Sequence, residues 1–215
     1  ETVSDAFEQS SSGMSLVNMM ELDLLVGSGG VLSHAPRRQQ SARMIIDSFM
    51  PEGITQLAVD SIFMMPQLGV LANIDKKEFM EDAKNASLEV FEKDCLIRLG
   101  TCIAPVGSIE KKATMGHAEL HFSDGEKQTI ELVEGSLLKL DYPYKEVVAE
   151  IFPVKSIDVG AGKGESIKTT IFGGEVGIIF DCRNRPILIS EDPELRVKEL
   201  KYWSDALNEY PSKAE

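Results

Sequence analysis

The chain has 215 residues, room for one large domain or two small ones. With 43% hydrophobic and 27% charged residues it has the composition of a globular protein, and wholesale disorder is excluded. Its 22 Lys and Arg against 35 Asp and Glu give a net charge of −13, which argues against a nucleic-acid groove or an anionic-membrane surface, since both call for a basic face.

Residues 1–20 are rich in Ser and Met and predict no more than a short helix. Leu22 to Val26 reads as a buried strand running into Gly27-Ser28-Gly29-Gly30. After Pro36, the positions Ala42, Ile45, Ile46 and Phe49 recur at three- and four-residue steps and predict one apolar helix face, stopped by Pro51-Glu52-Gly53. Ile54 to Val59 is a second strand ending at Asp60. Ser61 to Ala72 predicts a short buried helix or packed turn, with Met64, Met65, Met44 and Met50 as core filler. Lys76 to Phe91 predicts another helix, with Phe79, Ala83, Leu88 and Phe91 inward. Strand, glycine turn, helix, strand, helix is an α/β layout over residues 1–100.

The texture changes from Cys102. Ala118, Leu120 and Phe122 alternate with polar residues, Ser123-Asp124-Gly125-Glu126 turns the chain, and Ile130 and Leu132 return: a hairpin. Further strands are expected at Ser136–Leu140, Glu146–Phe152, Ser166–Phe172, Glu175–Phe180 and Pro186–Ile189, so residues 101–190 read as a small β-barrel or sandwich. Residues 191–215 are a helix and tail. Asp192 caps the helix, Pro193 opens it, and Leu200, Trp203, Leu207 and Tyr210 form its stripe.

The glycine loop follows a strand, where open α/β sheets bind ligands, and glycines let backbone approach a nucleotide closely. A dinucleotide fingerprint needs glycine where Leu32 stands, and an acid ending the next strand about 20 residues on. Asp47 has that spacing but lies in the helix, and Asp60 ends the strand but comes late. A phosphate loop of the Gly-Lys-Ser/Thr type is absent as well.

The stretch Val26-Gly27-Ser28-Gly29-Gly30-Val31-Leu32-Ser33-His34-Ala35-Pro36-Arg37-Arg38 resembles the signature of the glutamate-mutase-associated MutL family, which is unrelated to the mismatch-repair protein of that name. The similarity continues through Pro51-Glu52-Gly53, Leu57 to Val70, Ala104-Pro105-Val106-Gly107, Asp158 to Gly164, Gly173 to Gly177 and Asp181-x-Arg-x-Arg185-Pro186. The resemblance implies a partial lobe of the actin, heat-shock-chaperone and sugar-kinase superfamily, with its ribonuclease-H-like fold. It also implies ATP bound with Mg between two lobes of the parent protein, and reactivation of an adenosylcobalamin-dependent mutase, the expected partner. Gly27, Ser28, Gly29 and Gly30 match the adenosine-holding turn, and Arg37 or Arg38 is implied to lie against adenine or phosphate. The first lobe's Asp-x-Gly-x-Thr/Ser loop does not occur upstream of residue 22. Since the chain opens at Glu1 rather than Met, the expectation is a C-terminal piece that lacks its N-terminal lobe and holds no cofactor firmly by itself.

Two other function classes stay open at this stage. One is a small-molecule kinase of the same superfamily, with Asp60 as the base for a substrate hydroxyl. The other is a protein-binding module without nucleotide. Asp158 and Lys163 read as a turn rather than a phosphate site. His117, Glu119 and His121 share a strand face that reads as solvated, and no metal is expected. Cys95, Cys102 and Cys182 include no Cys-x-x-Cys pair and read as reduced thiols of a cytoplasmic protein, with no nucleophile among them. Ser33 and His34 are adjacent and form no triad.

Overall fold

The computed structural model describes residues 17–73 and 80–210, the side chains of 80–83 excepted. Phe79, Ala83 and the first 16 residues therefore lie outside the described part. A 3₁₀ turn at Met19–Glu21 leads into β1 (Leu24–Gly27), α1 (Gly30–Ser33), α2 (Arg38–Phe49), β2 (Gly53–Asp60), α3 (Met65–Ala72) and α4 (Met80–Val90). A π-helical turn at Phe91–Cys95 then feeds β3 (Leu96–Ala104). Next come β4 (Val106–Gly107), β5 (Thr114–Phe122), β6 (Lys127–Val133), β7 (Leu137–Leu140), β8 (Glu146–Pro153), β9 (Ile157–Asp158), β10 (Ile167–Phe172) and β11 (Gly177–Asp181), closed by α5 (Pro193–Leu207).

The strands form a five-stranded mixed sheet in the order β1-β2-β3-β11-β7 and a four-stranded antiparallel sheet in the order β10-β8-β5-β6. β1 and β2 run parallel, β3 and β11 run the opposite way, and β7 turns back again. No closed barrel occurs among the described residues. Residue 100 lies inside β3, and β7 and β11 return from the β-rich stretch to complete the first sheet, so the α/β and β-rich stretches share it.

Apolar alternation explains the three layers. Ile103, Ile178 and Phe180 from the first sheet share a core with Met115, Leu120, Val147 and Ile151 of the second. The other face of the first sheet, through Leu57, Val59, Leu99 and Ile179, is covered by Ala42, Ile45 and Ile46 of α2 and by Trp203 and Leu207 of α5. β3 and β11 approach closely where Gly100 pairs with Gly177: a Cβ on Gly100 would sit 1.7 Å from the Gly177 carbonyl oxygen, and its φ is +133°. Only glycine fits.

Several expectations need correction. α3 is a surface helix with Leu68 alone buried; Ile62, Phe63, Met65, Val70 and Leu71 face solvent. Met65 is exposed and Met44, Met50 and Met64 are half-buried, so these methionines do not fill the core. Leu88 and Phe49 are exposed as well. Pro186–Ile189 is a turn and loop, not a strand. On α5, Trp203 and Leu207 face inward while Leu200 does not, and Tyr210 lies exposed beyond the end of the helix. The Asp192 cap is as expected, its carboxylate accepting from the Glu194 and Leu195 amides at 2.8 and 3.1 Å.

Past the end of β11 the helices are joined to the sheet by buried charge. Arg183 donates to both oxygens of Asp181 at 2.7 and 2.9 Å, and Arg185 donates to Asp181 Oδ2 at 3.0 Å. Arg185 also donates twice to the Pro51 carbonyl, at 3.0 and 2.8 Å. Arg183 pairs with Asp47 of α2 at 2.8 Å and lies 5.0 Å above the Trp203 ring; Arg43, which pairs with Asp47 and Glu209, lies 5.5 Å from the same ring. Burial would push the Asp181 carboxyl up, but the Arg183 hydrogen bonds and both guanidinium charges outweigh it and hold the group below its ordinary value.

Asp181→Asn should cost about 3–5 kcal/mol in urea unfolding, because it removes the carboxylate shared by two buried guanidiniums and leaves Arg183 with Asp47 alone and Arg185 with no carboxylate among the described residues. The folded pKa is depressed, so the contribution is complete above the unfolded value of about 4 and is lost as pH falls through the lower folded value. The gap between wild type and variant should therefore narrow only below about pH 4.

Candidate functional site

β1 and β2 are parallel neighbours, with Gly27 level with Val59, so the glycine loop and Asp60 emerge side by side at one strand end of the sheet. Gly27 is buried, and a Cβ there would fall 2.7 Å from Leu32 Cδ1 and 2.8 Å from Ile45 Cδ1. Gly29 takes φ +106°, a conformation open to glycine, and among the described residues no heavy atom beyond the adjacent backbone lies within 4 Å of a Cβ position on Gly29 or Gly30. The outer side of the loop is therefore open space, and Val31 beside it is 75% exposed.

The inner side is held from three directions. Ser28 Oγ donates to Asp60 Oδ2 at 3.3 Å. The Ser33 hydroxyl and amide and the Leu32 amide all donate to the Gly29 carbonyl, and Ser41 of α2 donates to the Leu32 carbonyl at 2.8 Å. Arg38 Nη1 donates to the Ser33 carbonyl at 3.0 Å.

Asp60 is fully buried and accepts two further bonds, from the Met64 and Met65 amides at 3.1 and 2.9 Å at the start of α3. One carboxylate thus joins the glycine loop to α3 across β2. This is the geometry of a group that organises two loops.

The adjacent arginines separate in role. Arg38 is engaged on the loop backbone, whereas Arg37 Nε is buried with no hydrogen-bond partner among the described residues. The loop thus presents backbone to open space on its outer side, and Arg37 carries a buried N–H that no described residue accepts. No signal in the sequence separates Arg37 from Arg38; the distinction follows from which side chain reaches back to Ser33.

The remaining candidates do not gather here. Asp158 Oδ1 accepts from the Gly160 and Gly162 amides at 2.8 and 3.1 Å, so it shapes its own turn, as expected. His117 and His121 flank Glu119 at 3.9 and 3.8 Å on the outer face of the second sheet, and no cluster of metal-ligating side chains occurs among the described residues. Burial pushes the Cys102 and Cys182 thiols up to about 12, which keeps them protonated and unreactive at neutral pH. Among the described residues no helix is long and apolar enough to cross a membrane.

Asp60→Ala should destabilise the protein by about 1–3 kcal/mol, since it strips the first amides of α3 and the Ser28 hydroxyl of their acceptor. Hydrogen exchange should quicken at Met64, Met65 and the 28–33 loop together, whereas Ser28→Ala should quicken the loop alone. Unchanged exchange in α3 after loss of the carboxylate would show that Asp60 does not organise both.

No curated protein and no solved structure matches this chain. Residues 8–86 match the family model described as MutL protein, and the matched stretch contains β1, the glycine loop, α2, β2 and α3. The loop, its Asp60 anchor and the paired arginines all fall within it, so over residues 8–86 the chain is similar to the MutL protein family.

Proposed function

We propose that this chain is part of an ATP-dependent reactivating factor for an adenosylcobalamin-dependent mutase such as glutamate mutase, and that the Gly27–Gly30 loop holds the adenosine. The observation that carries the reading is the loop itself: within the family-matched stretch, a strand ends in a glycine turn whose outer face is open while its inner face is fastened to Asp60, Ser41 and Arg38. The link to glutamate mutase comes with the family.

In this proposal Gly29 and Gly30 admit the nucleoside against backbone, and the Arg37 guanidinium lies against adenine or phosphate. The phosphates and Mg are held by an opposing lobe of an actin-type architecture, to which this chain contributes one side, and the parent works in the cytoplasm on its mutase partner. A bound nucleotide supplies the energy for conformational work that exchanges damaged cofactor. The kinase alternative draws less support, because Asp60 is buried and already accepts three hydrogen bonds, which leaves it poorly placed to take a proton from a substrate hydroxyl.

Two experiments test this. In isothermal titration of the 215-residue chain, adenosine and ADP should bind about as well as ATP, because phosphates without an opposing lobe remain in water. Gly29→Val should abolish that binding, and no Mg-dependent ATP turnover should appear. The full-length protein with ATP should restore an inactivated mutase. Phosphorylation of a small acceptor without mutase rescue would favour the kinase, and ATP binding unaffected by Gly29→Val would remove the loop from the site.

A further inference from the structure

Where β10 passes over β3, Thr101 pins the two sheets together: its hydroxyl donates to the Phe172 carbonyl at 2.8 Å and accepts from the Phe172 amide at 3.2 Å. Toward β2 and the Met19–Glu21 turn the layers part and leave a cavity of about 320 Å³. That is within the size range of small-molecule sites, roughly 300–1,000 Å³. Both layers and the glycine-rich turn after β9 contribute to its wall. Gly160 takes φ +115°, and a Cβ there would approach only Ile167 Cδ1 and Met20 Sδ, at 3.9 and 4.0 Å. The Asp158 carboxylate, bonded to the Gly160 and Gly162 amides, holds this turn in shape.

The lining has a distinct chemistry. Met20, Ile54, Val159 and Ile167 make apolar wall, and the polar groups include the Asp23 carboxylate, the Gln56 carboxamide and the Thr169 hydroxyl. Among the described residues no Lys, Arg or His lines it. Among the described residues the Asp23 carboxylate has no ion-pair partner, and none of these three side chains has a hydrogen-bond partner. Asp23 is exposed while Gln56 and Thr169 are half-buried, so a single uncompensated negative charge stands toward solvent over a partly apolar interior. Such a site repels anions and favours a cation that also carries hydrocarbon.

We propose that this cavity is a binding site for a small aliphatic ammonium compound. The ammonium group donates to Asp23 and to the Gln56 carbonyl oxygen, and the hydrocarbon lies against Met20 and Ile167. The site is separate from the glycine loop and does not depend on nucleotide binding there.

The test uses three probes with the same four-carbon chain and different head groups: n-butylammonium, n-butanol and butyrate. Each is titrated into the ¹⁵N-labelled 215-residue chain while the amides of Gly160 and Thr169 are followed. Butylammonium should give saturable shifts at both, butanol weaker ones and butyrate none. Asp23→Asn, a change at an exposed side chain, should weaken butylammonium about fivefold and leave butanol unaltered. Gly29→Val should not alter either titration, which separates this site from the proposed adenosine site. Equal response to all three probes, no saturable response to butylammonium, or undiminished butylammonium binding by Asp23→Asn would overturn the proposal.

Discussion

The Asp181 carboxylate is the point on which the layers depend. It stands at the end of β11, inside the five-stranded sheet, and takes hydrogen bonds from Arg183 and Arg185. Arg185 carries the connection to the Pro51 carbonyl between α2 and β2; Arg183 carries it to Asp47 of α2 and to the face of Trp203 in α5. A buried pair of this kind gains little net stability over an apolar replacement, because the desolvation cost is large. Its consequence is geometric: the two helices covering the sheet are tied to the same carboxylate, and so to one position relative to β11.

That cluster and the glycine loop occupy opposite strand ends of the sheet. Pairing of Gly53 with Ala104 and of Phe180 with Ile103 puts Pro51 and Asp181 at one end, while pairing of Asp60 with Leu96 puts the loop at the other. α2 spans the distance between them. Ser41, near its start, holds the glycine loop, and Asp47, near its end, meets Arg183. The arrangement separates a fastened end, dense in ion pairs, from an end where backbone faces open space over Gly29 and Gly30. Asp60 and α2 support the inner side of that loop.

Asp60 shows why a residue's place in a sequence does not define its chemistry. A carboxylate at the end of a strand beside a glycine loop has the position of a catalytic base or of a ribose partner. Folding brings the amides of Met64 and Met65 and the hydroxyl of Ser28 onto its oxygens, and it becomes the joint between two loops. The same holds for Asp158, whose Asp-x-Gly-x-Gly run resembles a phosphate loop and is a self-bonded turn.

What could be read from the sequence alone is what local forces decide. β1, the glycine turn, the Ala42–Ile46 face of α2 and β2 follow from apolar spacing and from glycine and proline punctuation. The β5–β6 hairpin follows from alternation around Ser123-Asp124-Gly125, and the start of α5 from Asp192 and Pro193. The central strand β3 was not legible: Arg98, Gly100 and Thr101 interrupt its apolar run, and each has a long-range reason. Arg98 stacks on Tyr144, Gly100 makes room for Gly177, and Thr101 bonds Phe172. The return of β7 and β11 to the first sheet depends likewise on partners distant in the chain. Caps, turns and amphipathic faces act over a few residues and are written in order along the chain. Sheet order and the engagement of a buried charge arise from contacts distant in the chain, such as those between Thr101 and Phe172 or Pro51 and Arg185, and only the tertiary structure decides them.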